Sequence, residues 1–376
     1  MKFLGLILLA TSVTCRFTDD LYKLLAKSNA GKNLISSPLS VDIALSMVYM
    51  AAGGKTAQEM RNVLKHPTDK KAVARKYKEF LTKLEGREKV AILDLANRLF
   101  VNDLYTLVPE FNQVVKDSFK AEAQAISLTD SVKAASIVNK WVNDQTRSRI
   151  KTVVEESNMS SRLIMVLVNA IYFKGQWQYE FDPKNTKVAD FRSADKKTDP
   201  VQMMSLVGTL RVGLIPDLDA KVIELPYRNS SLSMVIFLPE KDDGLPKLEQ
   251  KIAGFSQKLK SRAVNLRLPK FKIEFSSELN DVLATMGIQD AFAGSADFGG
   301  LVKQSGASIS KVTHKAFIEV NEEGAEAAAV TGVGLVSRCP TCNAFQFNAD
   351  HPFAYVIRDE DTIYFQGHFV KPEKLS

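Results

Sequence analysis

Three cysteines in 376 residues rule out a disulfide framework, so this fold must rest on core packing. Cys15 falls in an apolar N-terminal stretch, which leaves Cys339 and Cys342, spaced CxxC. Two thiols are half of a structural zinc site. Their surroundings read as loop, whereas a redox pair wants a strand leading into a helix. Histidine is scarce too: His66, His314, His351 and His368 are the whole set. No GxSxG elbow, HExxH pair or P-loop accompanies them, and the chain is read as a non-enzyme. No run reaches transmembrane length; the nearest, LIMVLVNAIYF from Leu163, reads as a buried strand.

What is present is ordinary globular composition, 45% hydrophobic and 25% charged, with length enough for a large core. There is no internal repeat, low-complexity tract or Pro/Ser linker, so one domain over residues 16–376 is the simplest organisation. The segment before it has Lys2, an apolar run Phe3 to Ala10, and small Val13 and Cys15 ahead of Arg16. That pattern predicts a signal peptide over residues 1–15 and therefore secretion. In a secreted chain the sequons Asn158-Met-Ser and Asn229-Ser-Ser become candidate glycan sites.

Net charge is +7, and much of the excess lies between Lys65 and Lys89, nine Lys/Arg against four Asp/Glu. A helix there has the apolar stripe Val73, Tyr77, Phe80, Leu81, Leu84. Its other faces carry Lys71, Arg75, Lys76, Lys78 and Lys83. Such a face suits a polyanion as well as solvent.

Helices are concentrated early. Phe17, Leu21, Leu24 and Leu25 share one face, and Ser37-Pro38 reads as a cap and first turn. Thr56 and Glu59 match a capping box. After about residue 160 the texture turns to strands: KVIELPY, LSMVIFLPE, NLRLPKFKIEF, AFIEV, PFAYVIR. Without regular βαβ alternation this predicts an α+β fold.

One stretch resists that reading. NEEGAEAAAVTGVGLVSRCPT, from Asn321, follows strand-like FIEV with small residues bracketed by Gly324, Gly332 and Gly334. The alanines favour a helix, the glycines oppose it, and nothing in it anchors a core.

The chain as a whole resembles the serpin family. The likeness is carried by NLISSPLS (33–40), MAAGGKTAQEM (50–60), ANRLFV (96–101), VNKWVNDQTRSRIK (138–151), VNAIYFKGQW (168–177), HKAFIEVNEEGAEAAA (314–329), ADHPFAYVIRD (349–359) and FQGHFVKP (365–372). The resemblance implies a serpin fold of about nine helices and three β-sheets, with an exposed reactive loop over about residues 322–346. Most members trap serine proteases by inserting the cleaved loop as a new strand of the main sheet; some inhibit nothing.

On that pattern Glu322, Glu323, Gly324, Ala325, Ala327, Ala328 and Ala329 form the hinge. A strand sends alternate residues to opposite faces, so Ala327, Ala329 and Thr331 would face the core and Glu326 the other side. Counting sixteen residues from Glu322 puts the scissile bond at Arg338-Cys339. Arginine at that position implies a trypsin-like serine protease as partner. Cys339 departs from the small hydroxyl residue commoner there. Ser37, Ser40, Asn169 and His314 match the polar cluster that members use as a shutter under the sheet. The resemblance also suggests heparin-like glycosaminoglycan on Lys71 to Lys83; no other cofactor, no metal, and no nucleic acid or membrane partner is expected, and the chain is read as a monomer. The rival readings are a non-inhibitory carrier, storage or chaperone serpin, and a loop cut without trapping.

Overall fold

The computed structural model describes residues 8–85, 91–255, 257–323 and 344–372. Eight α-helices occur among them: α1 (Leu8–Ser28), α2 (Pro38–Tyr49), α3 (Gly54–Leu64), α4 (Lys70–Glu85), α5 (Pro109–Phe119), α6 (Ser131–Gln145), α7 (Leu245–Glu249) and α8 (Asn280–Met286). The strands are β1 (Leu34–Ser36), β2 (Ala91–Asn102), β3 (Glu122–Ile126), β4 (Met165–Gly175), β5 (Lys187–Arg192), β6 (Thr198–Ile215) and β7 (Ala220–Pro226). They continue with β8 (Ser233–Pro239), β9 (Lys260–Pro269), β10 (Phe271–Glu278), β11 (Ile309–Val320), β12 (Phe345–Asn348), β13 (Phe353–Arg358) and β14 (Ile363–Phe369). The α+β expectation holds, with helices early and strands late.

The strands make two ladders. One runs β1-β14-β13-β8-β7-β6-β9-β12 with β5 on β6; the other runs β10-β11-β4-β2-β3. The three sheets implied by resemblance are joined into two because the eighteen-residue β6 is continuous. Its first part pairs with β5, its last part with β7, and β9 flanks most of its length.

All twelve residues of α2 are buried, so it is the central helix, apolar nearly all round. Ser37 caps it by accepting from the Ser40 amide, with Pro38 in the first turn, as the sequence predicts. The Thr56–Glu59 capping box is not formed. Helix α3 starts on Gly53, whose amide donates to the Asp297 carbonyl. Thr56 Oγ1 donates to Asp290 Oδ2 at 2.5 Å and accepts from the Asp297 amide. Glu59 Oε2 accepts from the amides of Gln289 and Asp290, both at 2.7 Å. The unpaired donors of a neighbouring turn recruit both side chains, which the local pattern cannot reveal.

The five-stranded sheet is covered on both faces. Leu167, Ile171, Phe173, Val312, Ala316 and Ile318 belong to the main core. The alternate residues Val166, Val168, Ala170, Tyr172 and Phe317 pack under Ala134, Ala135, Val138 and Val142 of α6. Burial on both faces explains the near-continuous apolar run of β4.

Candidate functional site

At the middle of the five-stranded sheet, β4 and β11 run parallel, in register from Thr313↔Val168 to Phe317↔Tyr172. Their outer neighbours β2 and β10 are antiparallel to them. A parallel pair has slanted hydrogen bonds and is slightly less stable per residue. A strand added between them in the opposite direction would be antiparallel to both. β11 ends at Val320 and leads directly to Asn321, Glu322 and Glu323, so chain that turns back there has the required direction.

The root of that turn is tightly held. Glu322 is buried; Lys270 Nζ donates to its Oε2 and Thr186 Oγ1 to its Oε1, each at 2.9 Å. Burial acts to raise its carboxyl, but the hydrogen bonds from Lys270 and Thr186 outweigh it and hold the group below the usual carboxylate range. The Phe181 amide donates to the Glu322 carbonyl, and the Trp177 amide to that of Glu323. Trp177 Nε1 donates to the Asn321 carbonyl at 2.9 Å, while its ring stacks on Tyr227 at 4.7 Å. Lys270, Thr186 and Trp177 are missing from the sequence assignment. Trp177 closes the segment VNAIYFKGQW; Lys270 and Thr186 are too distant along the chain to give a signal.

Below the β4–β11 pair, Ser37, Ser40, Asn169 and His314 come together. His314 and Asn169 are register partners, and Asn97 is the partner of Asn169 on β2. Asn169 Oδ1 accepts from His314 Nδ1 at 2.5 Å and from Ser40 Oγ at 2.9 Å. Its Nδ2 donates to Asn97 Oδ1 and to the Ser40 carbonyl. The Ser37 amide donates to His314 Nε2, which fixes the neutral tautomer with its proton on Nδ1. Burial pushes the His314 imidazole down to about 3, so it stays neutral. Asn97 is the member that sequence reading missed, although ANRLFV contains it.

Lys71, Arg75, Lys76, Lys78 and Lys83 are all exposed on α4, while Val73, Tyr77 and Leu81 are buried. Lys76 Nζ sits over the Tyr77 ring, 5.0 Å from its centre. Tyr77 donates to Asp42 Oδ2 at 2.6 Å, which ties the basic helix to α2. Asp42 Oδ1 has no hydrogen-bond partner, and burial raises this carboxyl to about 6.

Asn158 is exposed in a single 3-10 turn, Glu156–Asn158, where its Oδ1 accepts from Lys311 Nζ. Asn229 is exposed between β7 and β8 with φ +48°. Gly324, Ala325, Ala327, Ala328, Ala329, Arg338 and Cys339 lie outside the described residues, as do Met1 to Ile7 of the N-terminal segment. No helix among the described residues is long and apolar enough to cross a membrane, and no cluster among them has metal-ligating composition.

A central parallel pair continued by a hinge-like exit, over a buried polar row, defines a class of protein. The model of that class, Serpin (serine protease inhibitor), matches residues 12–372, and the chain belongs to the serpin family. It is 49% identical over 374 residues to Serine protease inhibitor 42Dd of Drosophila melanogaster, covering 99% of this chain and 100% of the relative. The crystal structure of Serpin48 of Tenebrio molitor, called highly specific, is similar at 30% identity and TM-score 0.89, covering 99% of this chain and 100% of that one. Human thyroxine-binding globulin is similar at 27% identity and TM-score 0.89, covering 97% and 98%.

Proposed function

We propose that the protein is a secreted inhibitor of Arg-specific, trypsin-like serine proteases. It acts by covalent trapping, with Arg338-Cys339 as the bait bond. The protease serine attacks the Arg338 carbonyl, the Cys339 amine leaves, and an acyl-enzyme forms. The freed arm then enters between β4 and β11, carrying the acyl-enzyme with it and distorting it before water completes hydrolysis. The observation that carries this reading is the parallel β4–β11 pair with its chain exit at Glu322 and Glu323.

The hinge composition supports insertion. Ala327, Ala329 and Thr331 are small enough to land on a packed core; a charge at those positions would be buried at a cost of about several kcal/mol. Arg338 is the only lysine or arginine between Glu323 and Arg358. The apolar run after Lys2 supports export, with Asn158 and Asn229 as glycan acceptors. The exposed cations of α4 are the face offered to a heparin-like polyanion. In this reading Ser37, Ser40, Asn169 and His314 act as the shutter.

A carrier function is the second reading, favoured by likeness to thyroxine-binding globulin. Arg338→Ala separates the two. In the inhibitory reading the variant folds normally and loses trypsin inhibition, because the protease carboxylate is left unpaired. Equal inhibition by variant and wild type removes Arg338 as bait.

A further inference from the structure

Apart from the insertion site, the fold buries a second ionisable cluster that inhibition does not use. His368 on β14 has no solvent exposure, and Glu249 at the end of α7 is nearly as buried. His368 Nδ1 lies 2.7 Å from Glu249 Oε1, which also accepts from the Tyr22 hydroxyl of α1 at 2.7 Å. His368 Nε2 faces the carbonyls of Lys32 at 2.8 Å and Asn29 at 3.3 Å, in the connection between α1 and β1.

The proton count follows from these partners. Carbonyls only accept, so Nε2 carries a proton. Nδ1 faces a carboxylate oxygen, so a second proton lies between them. We propose that His368 and Glu249 form a pH-sensitive latch, closed as an imidazolium–carboxylate pair and opened when the imidazolium gives its Nδ1 proton to solvent. Opening leaves two acceptors facing each other at 2.7 Å, and they must separate.

The latch joins four parts of the chain: α1, the α1–β1 connection, α7 and β14. β14 lies between β1 and β13, so its position sets the alignment of that end of the nine-stranded sheet. The other ionisable groups nearby have their own surroundings. Asp19 and Lys23 of α1 line a small cavity beside Glu249. Arg192, Lys196, Lys197, Asp242 and Asp243 line a cavity of about 500 Å³ on which Glu249 also borders. Tyr355 of β13 donates to the Leu34 carbonyl, and Asp42 and Tyr49 of α2 engage Tyr77 and the Pro67 carbonyl. The imidazole's own partners are Glu249 and the two carbonyls.

The closed pair stabilises the native state while His368 holds both ring protons, and that contribution is lost as rising pH removes one of them. The proposal does not depend on which protease is trapped. Its test is the unfolding rate of the full chain between about pH 5.5 and pH 8.5, the range in which imidazole titrates. His368→Lys, which keeps a fixed charge against Glu249, is the reference, so pH dependence from the rest of the chain cancels. Wild type should speed up about tenfold relative to the variant over that range. Equal pH slopes overturn the latch. If the lysine variant does not fold, nitrogen NMR of the four histidines decides, with His368 assigned through His368→Gln. Two protonated ring nitrogens at acidic pH and loss of the Nδ1 proton at alkaline pH support the latch. A ring that is neutral at about pH 5.5, or unchanged throughout, contradicts it.

Discussion

His314 and Asn169 face each other across the β4–β11 pair, Nδ1 to Oδ1 at 2.5 Å, at matched register positions. Adjacent strands lie about 4.8 Å apart, so a strand inserted between them doubles the separation to about 10 Å. The bond therefore exists only while the sheet is closed. Asn169→Ala removes it together with the bonds to Ser40 and Asn97, leaving buried polar groups unpaired. The native state should lose about 2–3 kcal/mol. Urea unfolding measures the loss, and native gels should show faster conversion to inserted or polymeric forms. A variant with unchanged midpoint and no conversion contradicts the closing role.

The hinge root gives a second prediction. Glu322→Lys replaces the Lys270–Glu322 pair with two like charges and removes the acceptor of Thr186. Lys270 is half exposed, so the pair itself contributes only about 1 kcal/mol, and the like-charge penalty adds to its loss. The double variant Glu322→Lys/Lys270→Glu should recover part of the thermal stability. Identical melting of single and double variants would mean that the pair does not hold the hinge.

Asp42 makes stability depend on pH in a stated direction. Its carboxyl is raised from the unfolded value near 3.8 to about 6 in the folded chain. A raised carboxyl favours the folded state while protonated, fully below the unfolded value, and the advantage disappears as pH rises through the folded value. At about pH 8 the native state therefore carries a buried charge that costs on the order of 3 kcal/mol. Asp42→Asn should be more stable than wild type at about pH 8 and should lose about half of that advantage by about pH 5. Thermal melts at both values check this; a gain that is equal at both would place the effect in packing.

The basic face of α4 is tested by salt. Lys71, Arg75 and Lys78 are exposed at helical spacing on one side. Lys71→Ala/Arg75→Ala/Lys78→Ala should elute from a heparin column at lower salt than wild type, because fewer counterions are released on binding. Co-elution returns the face to a solvated surface.

Much of this fold was legible because it depends on local patterns. Ser37-Pro38 carries a cap and first-turn signal in adjacent residues, and the apolar run LIMVLVNAIYF calls for burial on both sides. The polar row was legible only through resemblance, since a serine, an asparagine and a histidine on three elements carry no common spacing. Lys270 and Thr186 were not legible at all. Their roles come from three-dimensional closure around Glu322, and neither has a distinctive neighbour in sequence. Thr56 and Glu59 misled for the same reason: the local motif was correct in form, but the turn around Asp290 competed for both side chains.

The bait-bond assignment is tested most directly by mixing the protein with trypsin and separating the products in SDS. A covalent complex of enzyme with inhibitor should form, with release of one C-terminal peptide whose first residue is Cys339. Complete cleavage without a complex, or a peptide that begins elsewhere, would contradict it.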